Sequence, residues 1–510
     1  MTKASFIHPI LFAVFPVLFL FAYNRWAVAY GDVLIPMAAA IMLAVLLRWL
    51  VGLIIRDGLK AGIIASVFLF VFFFYGHVYT WLNEAGVTVA GLELGRHRYL
   101  FPMAGAVLAF AAVGLSRARR NFDGLTRMLA VVSLTLVLFA VAGIGWQAVR
   151  APTDARGREA RAPRQEPPAL KAAADSPDIY VITFDGYANR GTLQEVYHFD
   201  NREIYDYLEG KGFFVPTHAR PNYARTLLSL TSELNMKYLG DIAEQEGKYS
   251  KNYEPLSRLL EDNEVARFLK GRGYTIVNIS SFDSPVVENP YADLNFAGGL
   301  YRSSEFYVLV LKTTILDYFV QRFVVDDLRP KVLYAFDKLK EMPAMAGPKF
   351  VTVHVLPPHP PYLFGPDGER PAGGIAFEEQ RDVWKRRQEY VDQVMFINKK
   401  MEEIVDVLLT RSATPPVIIL QSDHGSAALA DWERPSDAFL RERLRNFQAY
   451  YLPRGGEEAL YDSMTMVNAF RIILNYYFGA DYELLPDRSY FSPRDYYYNF
   501  RDVTDVVRYE

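Results

Sequence analysis

The sequence predicts an α-helical bundle of five transmembrane spans followed by an α/β domain with a mostly parallel central sheet. Three observations predict it. Five long apolar runs are confined to the N-terminal part, a Pro- and charge-rich stretch follows them, and short β-branched runs then alternate with helical patterns. A length of 510 residues accommodates two or three domains. The expected division is a transmembrane domain over 1–149, a linker over 150–177 and an α/β domain over 178–510.

The apolar runs are Phe6 to Tyr23, Val33 to Ile55, Ala61 to Leu82, Tyr99 to Leu115 and Met128 to Val149. Each has the length a helix needs to cross about 30 Å of hydrocarbon. The first run lacks a small-residue cleavage site and four more follow it, so it reads as an uncleaved anchor rather than a signal peptide. Lys3, Arg56, Lys60, Arg117, Arg119, Arg120 and Arg127 fall in one set of alternate loops; Arg25, Arg96 and Arg98 fall in the other. The richer set is expected on the cytoplasmic side. The chain then sits in the inner (cytoplasmic) membrane, and five spans carry the C-terminal domain to the periplasmic or extracellular side. His77, inside the third run beside Tyr75 and Tyr79, reads as a helix-packing hydrogen bonder, with a functional intramembrane site as the alternative.

Charge divides the chain the same way. Residues 1–150 hold 12 Lys+Arg against 5 Asp+Glu, and the remainder holds 43 against 53. An acidic domain repels phosphate backbones, so a nucleic-acid partner is not expected. The absence of cysteine excludes disulfides, thiolate metal sites and a cysteine nucleophile. The linker, dominated by Ala, Pro, Arg and Glu with no apolar period, reads as a semi-extended tether.

In the second part, "IYVITF" (Ile179 to Phe184), "YTIVNI" (Tyr274 to Ile279), "FVTVHV" (Phe350 to Val355) and "VIIL" (Val417 to Leu420) suit strands buried on both faces of a parallel sheet. "NREIYDYLEGKG" and "NEVARFLKGRG" read as helices ending at glycine, and "RRQEYVDQVMFINKKMEEIVDVLL" as a long amphipathic helix. Ligands of such sheets bind beyond the carboxyl ends of the strands. There the sequence places Asp185-Gly186 after the first strand and Asp423-His424-Gly425 after the last, with His354 and His359 at and beyond the third.

Two carboxylates and an imidazole, Asp185, Asp423 and His424, form a candidate site for Zn²⁺, Mn²⁺ or Mg²⁺, with Ca²⁺ also open. Each residue alone has a bland reading, Asp185 as a helix cap and His424 as a packed histidine. A hydroxyl activated by such a metal could act as nucleophile. The stretch His218 to Leu239 offers Thr226, Ser229, Thr231 and Ser232, with Thr226 alternatively a helix cap. His354 and His359 lie in the proline-rich "HVLPPHPPY", placed to contact an oxyanion or protonate a leaving group, or to serve structure alone.

The ordered set "PDIYVITFDGYA", hydroxyl-rich turn, "HVLPPHPPY" and "VIILQSDHGS" resembles the alkaline phosphatase and sulfatase superfamily. Five spans with an external catalytic domain are similar to lipoteichoic acid synthases and lipid A phosphoethanolamine transferases. The resemblance covers about Asp178 to Pro453. It implies Asp185, Thr226, Asp423 and His424 around the metal, Thr226 as nucleophile, and His354 and His359 on the substrate side. It also matches "RERLRNFQAYYLP" to a Glu-Arg-containing strand and "NAFRIILNYYFG" to a C-terminal helix. The Cys- or Ser-x-Pro-x-Arg signature of formylglycine sulfatases is absent, and His424 is the last histidine, where the transferases have a further one. Ser229 stays open as a rival nucleophile. The expected function is a metal-dependent phosphoryl-group transferase or hydrolase acting on an envelope lipid or glycan. The alternatives are a sulfate-ester hydrolase of the same fold and a non-catalytic envelope assembly protein. Membrane lipid is the expected partner. The Tyr-rich "YFSPRDYYYNFRDV" either packs on the domain or lines a glycan surface.

Overall fold

The computed structural model describes residues 4–24, 28, 30–85, 87–89, 92–150, 176–281, 286–297, 305–371 and 383–509. Lys3, Arg25 and most of the expected linker lie outside the described residues. The chain forms two compact units, Met1–Arg164 with Tyr301–Val324, and Gln165–Leu300 with Val325–Glu510.

The first unit holds helices α1 (Ala4–Tyr23), α2 (Leu34–Ile55), α3 (Gly58–Glu84), α4 (His97–Arg117) and α5 (Asp123–Arg150). All five are long and apolar enough to cross a membrane. They answer the five apolar runs. α1 packs on α2, α3 and α5, while much of the apolar surface of α2, α4 and α5 is exposed, as lipid-facing helices require. Lys60 Nζ donates to Ala118 O at 2.8 Å, so the first turn of α3 meets the α4–α5 loop at one end of the bundle. Buried Arg48 donates to the Ser5 and Gly58 carbonyls, and His8 pairs with Ser66 at 2.7 Å. These are the internal partners that polar groups at membrane depth need. His77 is exposed on the bundle surface beside Phe74 rather than buried between helices.

The second unit is built on strands β1 (Ile179–Phe184), β2 (Thr275–Ser280), β3 (Leu294–Ala297), β4 (Lys349–Val355), β5 (Val417–Gln421) and β6 (Gln448–Tyr451). Their order is β3-β2-β4-β1-β5-β6, parallel throughout except for β6, which runs antiparallel to β5. In sequence, helix α6 (Thr226–Leu234) lies between β1 and β2, and α7 (Glu305–Lys312), which belongs to the first unit, and α8 (Asp317–Glu341) lie between β3 and β4. α9 (Arg387–Arg411) precedes β5, α10 (Asp437–Arg443) precedes β6, and α11 (Met466–Phe478) follows it.

The four expected strands form at the continuous apolar runs, because side chains of β1 enter cores on both faces. Tyr180, Ile182 and Phe184 pack with Ile397, Met401 and Leu408 of α9 on one face. Ile179 and Val181 pack with Leu230 and Leu234 of α6 and Phe470 and Ile473 of α11 on the other. Each such large aliphatic or aromatic burial stabilises by about 1.5–3 kcal/mol. β1 is central, with Thr183 paired to His354 on one side and to Gln421 on the other. That register brings the ends of β1, β4 and β5 level with one another.

Candidate metal centre

Asp185 leaves the end of β1, and Asp423 and His424 leave the end of β5. One ligand atom from each of the three lies within 4.8 Å of the other two, and all three residues are buried. His424 Nε2 is 3.1 Å from Asp423 Oδ2 and 3.6 Å from Asp185 Oδ1. Asp423 Oδ2 is buried and, among the described residues, accepts no hydrogen bond. Two buried hard carboxylates beside a neutral imidazole fit a divalent cation, since burying that much negative charge otherwise costs several kcal/mol.

The turn after β1 is shaped for this meeting. Gly186 sits at φ +68° and donates its N–H to Asp423 Oδ1 at 3.1 Å. A Cβ there would lie 3.0 Å from Trp384, so both the left-handed backbone and the close ring call for glycine. Ser422 donates to the His424 carbonyl and accepts from the Tyr187 N–H, which ties the two strand ends together.

Electrostatics agree with a ligand set. Burial pushes the Asp423 carboxyl up, but His424, His354, the Thr226 hydroxyl and Arg443 outweigh it and hold the group below the usual carboxylate range. Burial, then the adjacent Arg443 guanidinium, push the His424 imidazole well down, so it is neutral. Metal coordination requires that state.

Thr226 is the first residue of α6; Arg225 occupies the N-cap position, without a side-chain capping bond. The capping alternative for Thr226 is therefore corrected: its Oγ1 lies 3.1 Å from His424 Nε2 instead. Ser229 is 1% exposed, and its hydroxyl donates to the Tyr223 carbonyl at 2.7 Å. The two hydroxyls, on the same short helix, thus face different surroundings.

His354, on β4, lies with Nε2 3.5 Å from Asp185 Oδ2, and burial pushes its imidazole down to about 4. His359 stands on the loop after β4, half-buried, its backbone N–H donating to the Asp185 carbonyl at 3.0 Å and its ring edge-on to Trp384. Asp185, Thr226, His354, His359, Asp423 and His424 therefore converge at the carboxyl ends of β1, β4 and β5.

Four further participants carry no local sequence signal or differ from expectation. Arg443 donates Nε to the Ala224 carbonyl, Nη1 to the Gly425 carbonyl and Nη2 to His424 Nε2 at 2.8 Å. Glu442 accepts from Ser426 Oγ and from the Ala428 and Leu429 N–H groups, clamping the loop after His424. This Glu-Arg pair, expected on a strand, ends α10 instead, because Ser436 caps a helix that runs on to Arg443, and β6 starts only at Gln448. Gln421 bridges to Glu233 of α6, whose carboxyl burial pushes up to about 8. Glu233, Thr183, Asn278, Thr352 and His354 share the lining of a cavity of about 60 Å³, room for a water molecule or two. The Tyr-rich C-terminal stretch packs on the domain. Tyr498 is buried, the Tyr497 ring covers the Arg225 guanidinium at 4.3 Å, and Arg225 donates to Pro493 O, so this segment fixes the residue preceding Thr226.

No protein-family model and no curated protein matches the chain. Among solved structures it is similar to the C-terminal periplasmic domain of EptC from Escherichia coli in complex with Zn, at 12% identity and TM-score 0.41, covering 61% of this chain and 85% of that one. The phosphonate monoester hydrolase of Agrobacterium radiobacter is similar at 13% identity and TM-score 0.38, covering 62% and 80%. The integral membrane lipooligosaccharide phosphoethanolamine transferase A of Neisseria meningitidis is similar over 93% of this chain and 95% of that one, at 12% identity and TM-score 0.36. At such scores the chemistry rests on the geometry of the site.

Proposed function

We propose that this protein is a membrane-embedded, metal-dependent enzyme that transfers or hydrolyses a phosphoryl-linked group of an envelope lipid or glycan. The observation that carries the reading is Thr226 Oγ1, not engaged in capping and 3.1 Å from His424 Nε2 beside the Asp185, Asp423 and His424 cluster. A divalent ion held by those three residues supplies a lowered hydroxyl pKa and positive charge for the developing oxyanion. Thr226 Oγ attacks phosphorus, the Oγ–P bond forming as the bond from phosphorus to the leaving oxygen breaks. The N-terminus of α6, where Thr226 sits, favours the anionic group being transferred. His354 and His359 contact its oxygens, or take the proton that the Thr226 hydroxyl gives up and return it to the leaving oxygen. An acceptor hydroxyl or water then attacks the phosphothreonyl phosphorus and releases Thr226. The basic loops on one side of the bundle support a cytoplasmic location for that side and an external location for the catalytic unit.

The test is the full-length protein in detergent, with metal content and turnover of p-nitrophenyl phosphate, phosphodiester and sulfate esters measured for wild type, Thr226→Ala and Thr226→Ser. Thr226→Ala is expected to keep its metal and lose phosphoester turnover by about 10³-fold or more, as nucleophile removal does. Metal-loaded Thr226→Ala with normal turnover would sink the assignment. Cleavage of sulfate esters alone would move the substrate class to sulfate.

A further inference from the structure

Residues 301–324 leave the sheet unit after β3 and join the unit of apolar helices before the chain returns for β4. Phe306 and Val310 of α7 are buried against Ala13, Val17 and Phe21 of α1 and Leu69 and Phe73 of α3. Phe306 meets Phe21 edge-on at 6.2 Å.

The turn between α7 and α8 lies backbone to backbone on α3. Gly76 N donates to Thr313 O at 3.0 Å, and Ile315 N donates to Phe72 O at 2.9 Å. A Cβ on Gly76 would stand 2.0 Å from Lys312 O, so the contact requires glycine. The span within α3 ends at Leu82. That span, Gly58–Leu82, is centred on Phe70, so at 1.5 Å per residue Phe72 lies about 3 Å and Gly76 about 9 Å from the middle of a hydrocarbon layer about 30 Å thick, both inside it.

Irregular backbone survives at such depth only if its polar groups are satisfied internally. Here five consecutive N–H groups are. Thr313 and Thr314 donate to the Val310 and Leu311 carbonyls, Ile315 to Phe72, Leu316 to Thr314 Oγ1 and Asp317 to the Thr314 carbonyl. The two threonine hydroxyls turn back onto the same Val310 and Leu311 carbonyls. Asp317 is buried and opens α8, where the helix dipole favours a carboxylate. Leu311, Leu316 and Phe319 remain 37%, 38% and 47% exposed, apolar like the exposed side chains of the spans.

We infer that residues 305–319 form a re-entrant membrane element whose outer face is covered by lipid acyl chains. The β3–β4 connection of the sheet unit thereby takes its own hold on the bilayer, whatever reaction the site performs.

The absence of cysteine makes the test direct. Leu311→Cys, Leu316→Cys and Phe319→Cys are made singly in the full chain, labelled with a small fluorophore and reconstituted into phosphatidylcholine vesicles carrying acyl-chain nitroxides. Leu138→Cys on the exposed face of α5 serves as the lipid reference and Tyr249→Cys in the sheet unit as the water reference. The expected result is loss of fluorescence to the nitroxide as at position 138, with protection from aqueous iodide. Adding Gly76→Ala should turn the label at position 316 iodide-accessible while that at 138 stays lipid-quenched. Iodide quenching of all three labels as at position 249 would overturn the inference, as would a Gly76→Ala protein whose 316 label is unmoved.

Discussion

Glu233 offers a sharp test of the buried ground beneath the site. It is fully buried on α6, its Oε2 takes one hydrogen bond from Gln421 Nε2 at 2.7 Å, and among the described residues its Oε1 takes none. Burial moves its carboxyl from 4.5 to about 8, the Gln421 bond opposing the move and the Asp423 charge adding to it. The folded chain therefore holds a proton that the unfolded chain releases above about 4.5. Stability from this group is fully present below that pH and is lost as pH rises through about 8. At about 1.4 kcal/mol per pH unit the loss reaches about 5 kcal/mol above the folded-state value. Glu233→Gln keeps the shape and the neutral state at every pH. Relative to wild type it should gain about 1 kcal/mol near pH 5 and about 5 kcal/mol near pH 9. Urea-dependent pulse proteolysis of the full-length protein in detergent at the two pH values reads the difference. A stability difference that does not grow with pH would show that the carboxyl is not held neutral by burial, and one that grows in wild type's favour would reverse the sign of its contribution.

Other outcomes follow from the same geometry. Gly186→Ala should lower stability by about 1–3 kcal/mol, through the left-handed φ and the 3.0 Å approach to Trp384, and should weaken metal retention by disturbing the N–H bond to Asp423; thermal unfolding and metal content check both. Ser229→Ala should keep phosphoester turnover while losing about 1–2 kcal/mol of stability, because only the buried Tyr223 carbonyl loses its partner; abolished turnover in a folded, metal-loaded variant would restore Ser229 as the nucleophile.

Features written in adjacent residues are legible in the sequence, and features made by distant closure are not. β1, β4 and β5 are continuous apolar runs because both faces are covered, and that burial is carried by five to seven adjacent residues. Asp185-Gly186 and Asp423-His424 follow such runs immediately, so parallel pairing of the strands is enough to bring them together. Arg443 reaches the Ala224 carbonyl across 219 residues of chain, which no local pattern announces. Glu233 reads as one more polar helix residue until Gln421 is placed opposite it. The element at 305–319 is hidden for a different reason. α7 is only eight residues long, too short to stand out as a span, and its depth is fixed by Gly76 of α3, whose bare backbone admits Lys312 and Thr313.

Metal content of the full-length protein, measured alongside phosphoester turnover in wild type and in Asp423→Ala, decides whether the strand ends hold a catalytic ion. A tightly bound divalent ion is expected in wild type, lost together with turnover in the variant. A wild-type protein that binds no divalent metal yet cleaves phosphoesters, or an Asp423→Ala variant that keeps both metal and turnover, would contradict a metal-dependent site at Asp185, Asp423 and His424.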